Sequence, residues 1–254
     1  MAKSIGFGIK AMLGVTGVLF CLVAGSAMAT TVTSTSVSLP NGSTTVNIND
    51  TTQSVDGGGS NIITGTIGLQ TNIGALSTYC VDLFDYINTG SNSYTFSQNQ
   101  LVAGSTFRNG TATGTFTQSQ VNELTALLIN GSAQTNNVVN TAAMQIAIWA
   151  IEYDTPSNGT FNITNSDSFY FSHTSDTNST AALTQAQTYL NDVTTGAWAT
   201  DSNHYIEYLT ASGTQNLIYL ATGAVGGQAP EPSTIAVFGM GLIGLWAARR
   251  RKLI

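Results

Sequence analysis

Between residues 30 and 229 the chain carries one basic side chain, Arg108, although the 254 residues hold seven Lys and Arg in all. Lys3, Lys10, Arg249, Arg250, Arg251 and Lys252 all sit at the two ends. Twelve of the thirteen acidic residues fall inside that body, leaving it a net charge of about −11. Nucleic acid and anionic membrane surface are excluded as partners of the body, because both need Lys and Arg to neutralise phosphate. Cysteine is as scarce: Cys21 lies near the N-terminus, and the body keeps Cys80 alone. No disulfide can form within it, so this thiol is a buried free group, an intermolecular bridge or a reactive centre. A Gly-rich phosphate loop, zinc-ligand spacing, a Ser-centred elbow and a twelve-residue calcium loop are all missing. We therefore expect no metal, no cofactor and no enzyme.

The two ends read as addresses. Lys3 and Lys10 precede an apolar stretch from Ala11 to Gly25 and the small-residue site Ala27-Met28-Ala29, the pattern of a signal peptide over residues 1–29. Phe20 before Cys21 is too bulky for a lipoprotein box. At the other end, Pro230-Glu231-Pro232 abuts an uncharged run from Ser233 to Ala248 and then the basic cluster. As a helix that run rises about 24 Å, a marginal transmembrane span. The cluster behind it stays cytoplasmic, so the body lies across the inner membrane before processing. Residues 230–254 resemble the PEP-CTERM sorting tail of Gram-negative bacteria. The resemblance implies recognition of Pro230, Glu231, Pro232, Arg249, Arg250 and Arg251 by an exosortase. It also implies delivery of the body to the cell surface or extracellular matrix, often in bacteria that make exopolysaccharide. A plain C-terminal anchor would need the helix and arginines but not the tripeptide.

Within the body, β-branched runs at Thr31–Leu39, Thr44–Ile48 and Ile62–Leu69 read as strands parted by Asn41-Gly42 and Gly57-Gly58-Gly59, and Leu76–Leu83 as a buried strand. Thr117 and Gln120 form a capping box for a first helix, with Gly131 as its C-cap. Val138–Tyr153 reads as a second helix, stopped by Asp154-Thr155-Pro156, and Ser179–Val193 as a third. Tyr205–Ala211 and Gln215–Ala221 read as a closing hairpin around Ser212-Gly213. The expected fold class is α+β, one extracellular domain over 30–222 with β-strands flanking a central group of about three helices. A Gly-rich tether over 223–229 leads into the tail.

Two segments stand apart from the Thr-, Ser- and Asn-rich background: Tyr79-Cys80-Val81-Asp82-Leu83 and Ala142-Ala143-Met144-Gln145-Ile146-Ala147-Ile148-Trp149. They resemble the paired motifs of thioester domains in bacterial surface adhesins, in which a cysteine bonds to the glutamine of a Thr-Gln-x-Ala-like helix followed by tryptophan. Met144 stands where that family has threonine. The resemblance implies a Cys80–Gln145 cross-link, used for covalent attachment to a surface amine or hydroxyl. Independently of the family, Trp149 lies at i+4 and Glu152 at i+7 from Gln145, so an indole and a carboxyl share its helix face. With Tyr79 and Asp82 they form the expected surroundings of the bond. The plainer reading makes Cys80 a small buried hydrophobe and Gln145 a core hydrogen-bonding group, in a non-catalytic exopolysaccharide or biofilm matrix protein. His173 and His204 are the candidate partners for a thiol-protease dyad, and Asp82, Asp85 and Asp154 for calcium; neither set sits in a recognisable motif. Hydrogen bonding to local backbone is the expected role of Asp82.

Overall fold

The computed structural model describes residues 30–50, 55, 59–154, 156, 159–164 and 169–223. The signal-peptide and sorting-tail readings fall outside these residues. Among them the fold is α+β with three helices, as expected, but most of the strands close on themselves. β1 (Thr30–Ser38), β4 (Ile67–Thr71), β5 (Gly74–Cys80), β11 (Leu217–Thr222), β10 (His204–Thr210) and β6 (Tyr94–Gln100) form a closed six-stranded barrel in that order. β2 (Thr44–Asp50) pairs with β3 (Ile62–Thr64) and β9 (Phe169–His173) in a second sheet, and β7 (Thr106–Asn109) with β8 (Ala112–Thr115) in a hairpin.

The expected single strand over Ile62–Leu69 divides into β3 and β4, which enter different sheets. At the break, a Cβ on Gly65 would stand 2.9 Å from the Gly42 carbonyl oxygen, and the Thr66 N–H leaves the ladder to donate to Thr141 Oγ1 at 2.8 Å. The Leu76–Leu83 run ends as a strand at Cys80.

α1 (Gln118–Gly131) starts on the expected capping box, with Thr117 Oγ1 accepting from the Gln120 N–H. Gly131 is its last residue rather than its cap, and Ser132 caps it in right-handed conformation. Packing explains this glycine: a Cβ there would fall 2.3 Å from Met144 Sδ. α2 (Val138–Tyr153) begins after Asn137, whose side chain accepts from the Asn140 N–H. Every α2 residue from Thr141 to Glu152 is buried, as suits a helix apolar nearly all round. α3 (Ser179–Thr194) and α1 pack against it, and β2, β3, β5 and β9 close the remaining sides.

Candidate functional site at the end of strand β5

β5 passes from exposed residues at Gly74 and Ala75 to Tyr79 and Cys80, which are 3% and 2% exposed. Its register against β11 sets Leu217 beside Cys80 and Ile218 beside Tyr79, and β11 holds this end of the strand against the core. A second tie runs to α2. Thr66 Oγ1 donates to Tyr79 Oη at 3.2 Å and contacts Thr141 Oγ1, so a buried trio of hydroxyls fastens β5 to the first turn of α2.

One turn further along α2, Gln145 meets Cys80. The Cys80 N–H donates to Gln145 Oε1 at 2.9 Å, and Gln145 Nε2 donates to the Cys80 carbonyl at 2.7 Å. Two residues 65 apart in sequence thus share a reciprocal amide-to-peptide pair, with Gln145 at 1% exposure. The Cys80 thiol donates to the Asp82 carbonyl at 2.9 Å, and the Asp82 N–H reaches back to the sulfur at 3.3 Å. Met144, in the place of the family's threonine, lies under Gly131 with Trp198 nearby and packs α2 against α1.

Burial governs the electrostatics. Loss of water pushes the Cys80 thiol well above its ordinary value, and the charges of Asp82 and Glu152 push the same way; the Asp82 backbone and Trp149 oppose. Desolvation raises the Glu152 carboxyl well above the carboxylate range, reinforced by Asp82. Asp82 rises to about 6, chiefly by burial, although its carboxylate accepts from the Phe84 N–H at 2.8 Å. That hydrogen bond is the local backbone role expected of it.

A cleft of about 450 Å³ opens over the pair. Cys80, Gln145 and Trp149 line it at depth, Ile62, Ile63 and Tyr86 line it above, and Asp85 and Gln215 supply polar groups. Ile63 and Tyr86 are 60% and 65% exposed, so the walls near solvent are apolar. Asp85 pairs with Arg108 at 2.7 Å.

The structure thus brings Tyr79, Cys80, Asp82, Gln145, Trp149 and Glu152 into one neighbourhood. It does not bring the histidines there: His173 lies exposed at the end of β9, and His204 contacts Asp201 at 2.8 Å beside a different pocket. No group of three or more His, Cys, Asp or Glu side chains suited to a metal occurs among the described residues. Three contributors went unread in the sequence. Thr141 precedes Gln145 by one helical turn, a spacing that does flag it. Gln215 donates to the Asp82 carbonyl at 3.1 Å, and Tyr153 Oη to the Arg108 carbonyl at 3.0 Å; both arrive through long-range register with no local signal.

Among solved structures, the chain is similar to the N-terminal domain of the Streptococcus pyogenes pilus tip adhesin Cpa. Identity is 14%, coverage 73% of this chain and 100% of that one, and the TM-score 0.40. It is similar to the N-terminal thioester domain of a surface protein from Clostridium perfringens at 12% identity, 77% and 100% coverage and a TM-score of 0.40. No curated protein matches the chain. Residues 228–252 match the PEP-CTERM protein-sorting motif, which bears out the sorting-tail reading and implies processing by an exosortase and export to the cell surface.

Proposed function

We propose that Cys80 and Gln145 join as an internal thioester, through which the sorted surface protein attaches covalently to an amine or hydroxyl on a cell or matrix target. The reciprocal hydrogen-bond pair carries this reading. It fixes the Gln145 amide against the residue whose sulfur must attack it, and positioning of this kind removes roughly 7–11 kcal/mol of a bimolecular barrier. The Cys80 N–H already points at Oε1, where negative charge collects as the sulfur adds to the carbonyl, so it serves as an oxyanion donor without rearrangement. Attack forms the Sγ–Cδ bond, breaks the Cδ–Nε2 bond and releases ammonia that carries the thiol proton away. Trp149 at 1% exposure keeps the product dry, and the cleft admits the later nucleophile. That nucleophile takes the acyl group and returns the thiol to Cys80, in a single turnover without regeneration.

The same contacts support a second reading. Both polar atoms of the Gln145 amide and the Cys80 thiol have hydrogen-bond partners, so the pair also works as a non-covalent clasp in a passive exopolysaccharide or matrix module. Intact mass separates the two. The thioester protein weighs one ammonia less than its encoded chain and, after methylamine, one methylene more, with Cys80 then open to alkylation. A freshly purified chain at its full encoded mass leaves the clasp. Incubation of cells or polysaccharide with wild type and Cys80→Ala then tests attachment, and equal covalent retention refutes it.

A further inference from the structure

Thioester formation needs a proton delivered to a poor leaving group, and the buried thiol is reluctant to give one up. Beside this site both carboxyl oxygens of Glu152 are buried without a hydrogen-bond partner of good geometry. Gln145, Trp149 and Glu152 fall at i, i+4 and i+7, on one stripe of α2. Glu152 is 4% exposed and does not line the cleft, so it approaches the pair from the core side. A carboxyl with neither oxygen satisfied is expensive to bury, and cheaper when protonated. Burial and the Asp82 charge beyond β5 both favour its protonated form, the neighbouring Tyr153 hydroxyl opposes them, and the other titratable groups around it, the Cys80 thiol and Tyr208 on β10, carry no positive charge.

We infer that Glu152 is the proton carrier of thioester exchange, set behind Trp149 so that it serves Cys80 and Gln145 while shut off from the cleft. The inference rests on the thioester reading above. In the forward direction the carboxylic acid gives its proton to the departing Gln145 nitrogen, and the Cys80 S–H proton restores the carboxyl as the Sγ–Cδ bond closes. Ammonia leaves, and the carboxyl ends as it began. The reverse reaction, opening by ammonia, uses the same proton in the opposite order.

Ammonium treatment of the purified protein regenerates the thiol and the glutamine. After the ammonium is removed, intact mass against time gives the closing rate, and titrating ammonium back gives the opening rate. A carrier speeds both directions alike. Glu152→Gln, which keeps the shape, is expected to slow both by roughly 100-fold or more while the final closed fraction at each ammonium concentration stays unchanged. Glu152→Asp recovers part of the rate. A change in the final fraction, or slowing in one direction only, marks a structural role and overturns the inference. Equal rates in wild type and Glu152→Gln overturn it while leaving the thioester intact. A wild type that never loses ammonia removes the thioester and the carrier together.

Discussion

Closing the bond ties residue 80 to residue 145 across a loop spanning β6, β7, β8, α1 and half of α2. A cross-link over a loop of that length restricts the unfolded chain by about 4 kcal/mol in the chain-entropy treatment. Ammonia opening is the cleanest perturbation, because it restores Cys80 and Gln145 with no added atom and leaves their hydrogen bonds in place. Nearly all of the difference then resides in the unfolded state. With an m-value of roughly 2 kcal/mol/M, the urea midpoint of the open form should lie about 2 M below that of the closed form. The assay is paired urea unfolding at 25 °C, followed by fluorescence of the buried Trp149, with intact mass taken before and after each titration to confirm that the bond state did not change. Coincident midpoints for two samples that differ by one ammonia would refute the reasoning, since native contacts alone cannot offset so large a loop term by chance.

Trp149→Ala empties a fully buried indole site and should cost about 3–5 kcal/mol, while spontaneous hydrolysis of the thioester accelerates, read as the gain of one water by mass. Burial raises the Asp82 and Glu152 carboxyls, so the folded state holds protons that the unfolded state has released. Stability should accordingly be greatest near pH 4 and fall as pH rises, with the Asp82 contribution lost between its ordinary 3.8 and about 6. Urea midpoints from pH 4 upward check the slope, which Asp82→Asn flattens between about 4 and 6 and Glu152→Gln flattens from 4.5 upward. Gly131→Ala drives a methyl into Met144 Sδ and should destabilise the protein by about 1–3 kcal/mol. Reducing the clash with Met144→Ala on the same background should give a non-additive double-mutant cycle.

Helix α2 was legible to its end residues, because an Ala-, Ile- and Met-rich run fills it and Asp154-Thr155-Pro156 stops it; its cap, Asn137, emerged only from the structure. The same clarity made Gln145 conspicuous, as a polar side chain in a buried helix. The barrel was not legible. Its seams join strands far apart in sequence, β1 to β6 and β5 to β11, and closure leaves no local signature. Strands β6, β7 and β8 escaped notice for a different reason. In Tyr94–Gln100 only Phe96 is buried, so the alternation that marks a half-buried strand is reduced to one residue. β9 went unread between α2 and α3, although its Phe169 and Phe171 alternate inward. Cys80 stood out through its solitude and its pairing with Gln145 through the two motifs, but the Thr66–Thr141–Tyr79 trio that fastens β5 to α2 was not legible, because its three members come from three separate segments.

The direction of β11 bears on how the protein faces its surroundings. Leu217 opens the strand alongside Cys80, and Thr222 closes it, five residues and roughly 17 Å further on. The sorting signal follows that far end in the chain. The strand thus sets the Cys80–Gln145 contact at the opposite end of β11 from the point where the described chain runs out toward its sorting signal.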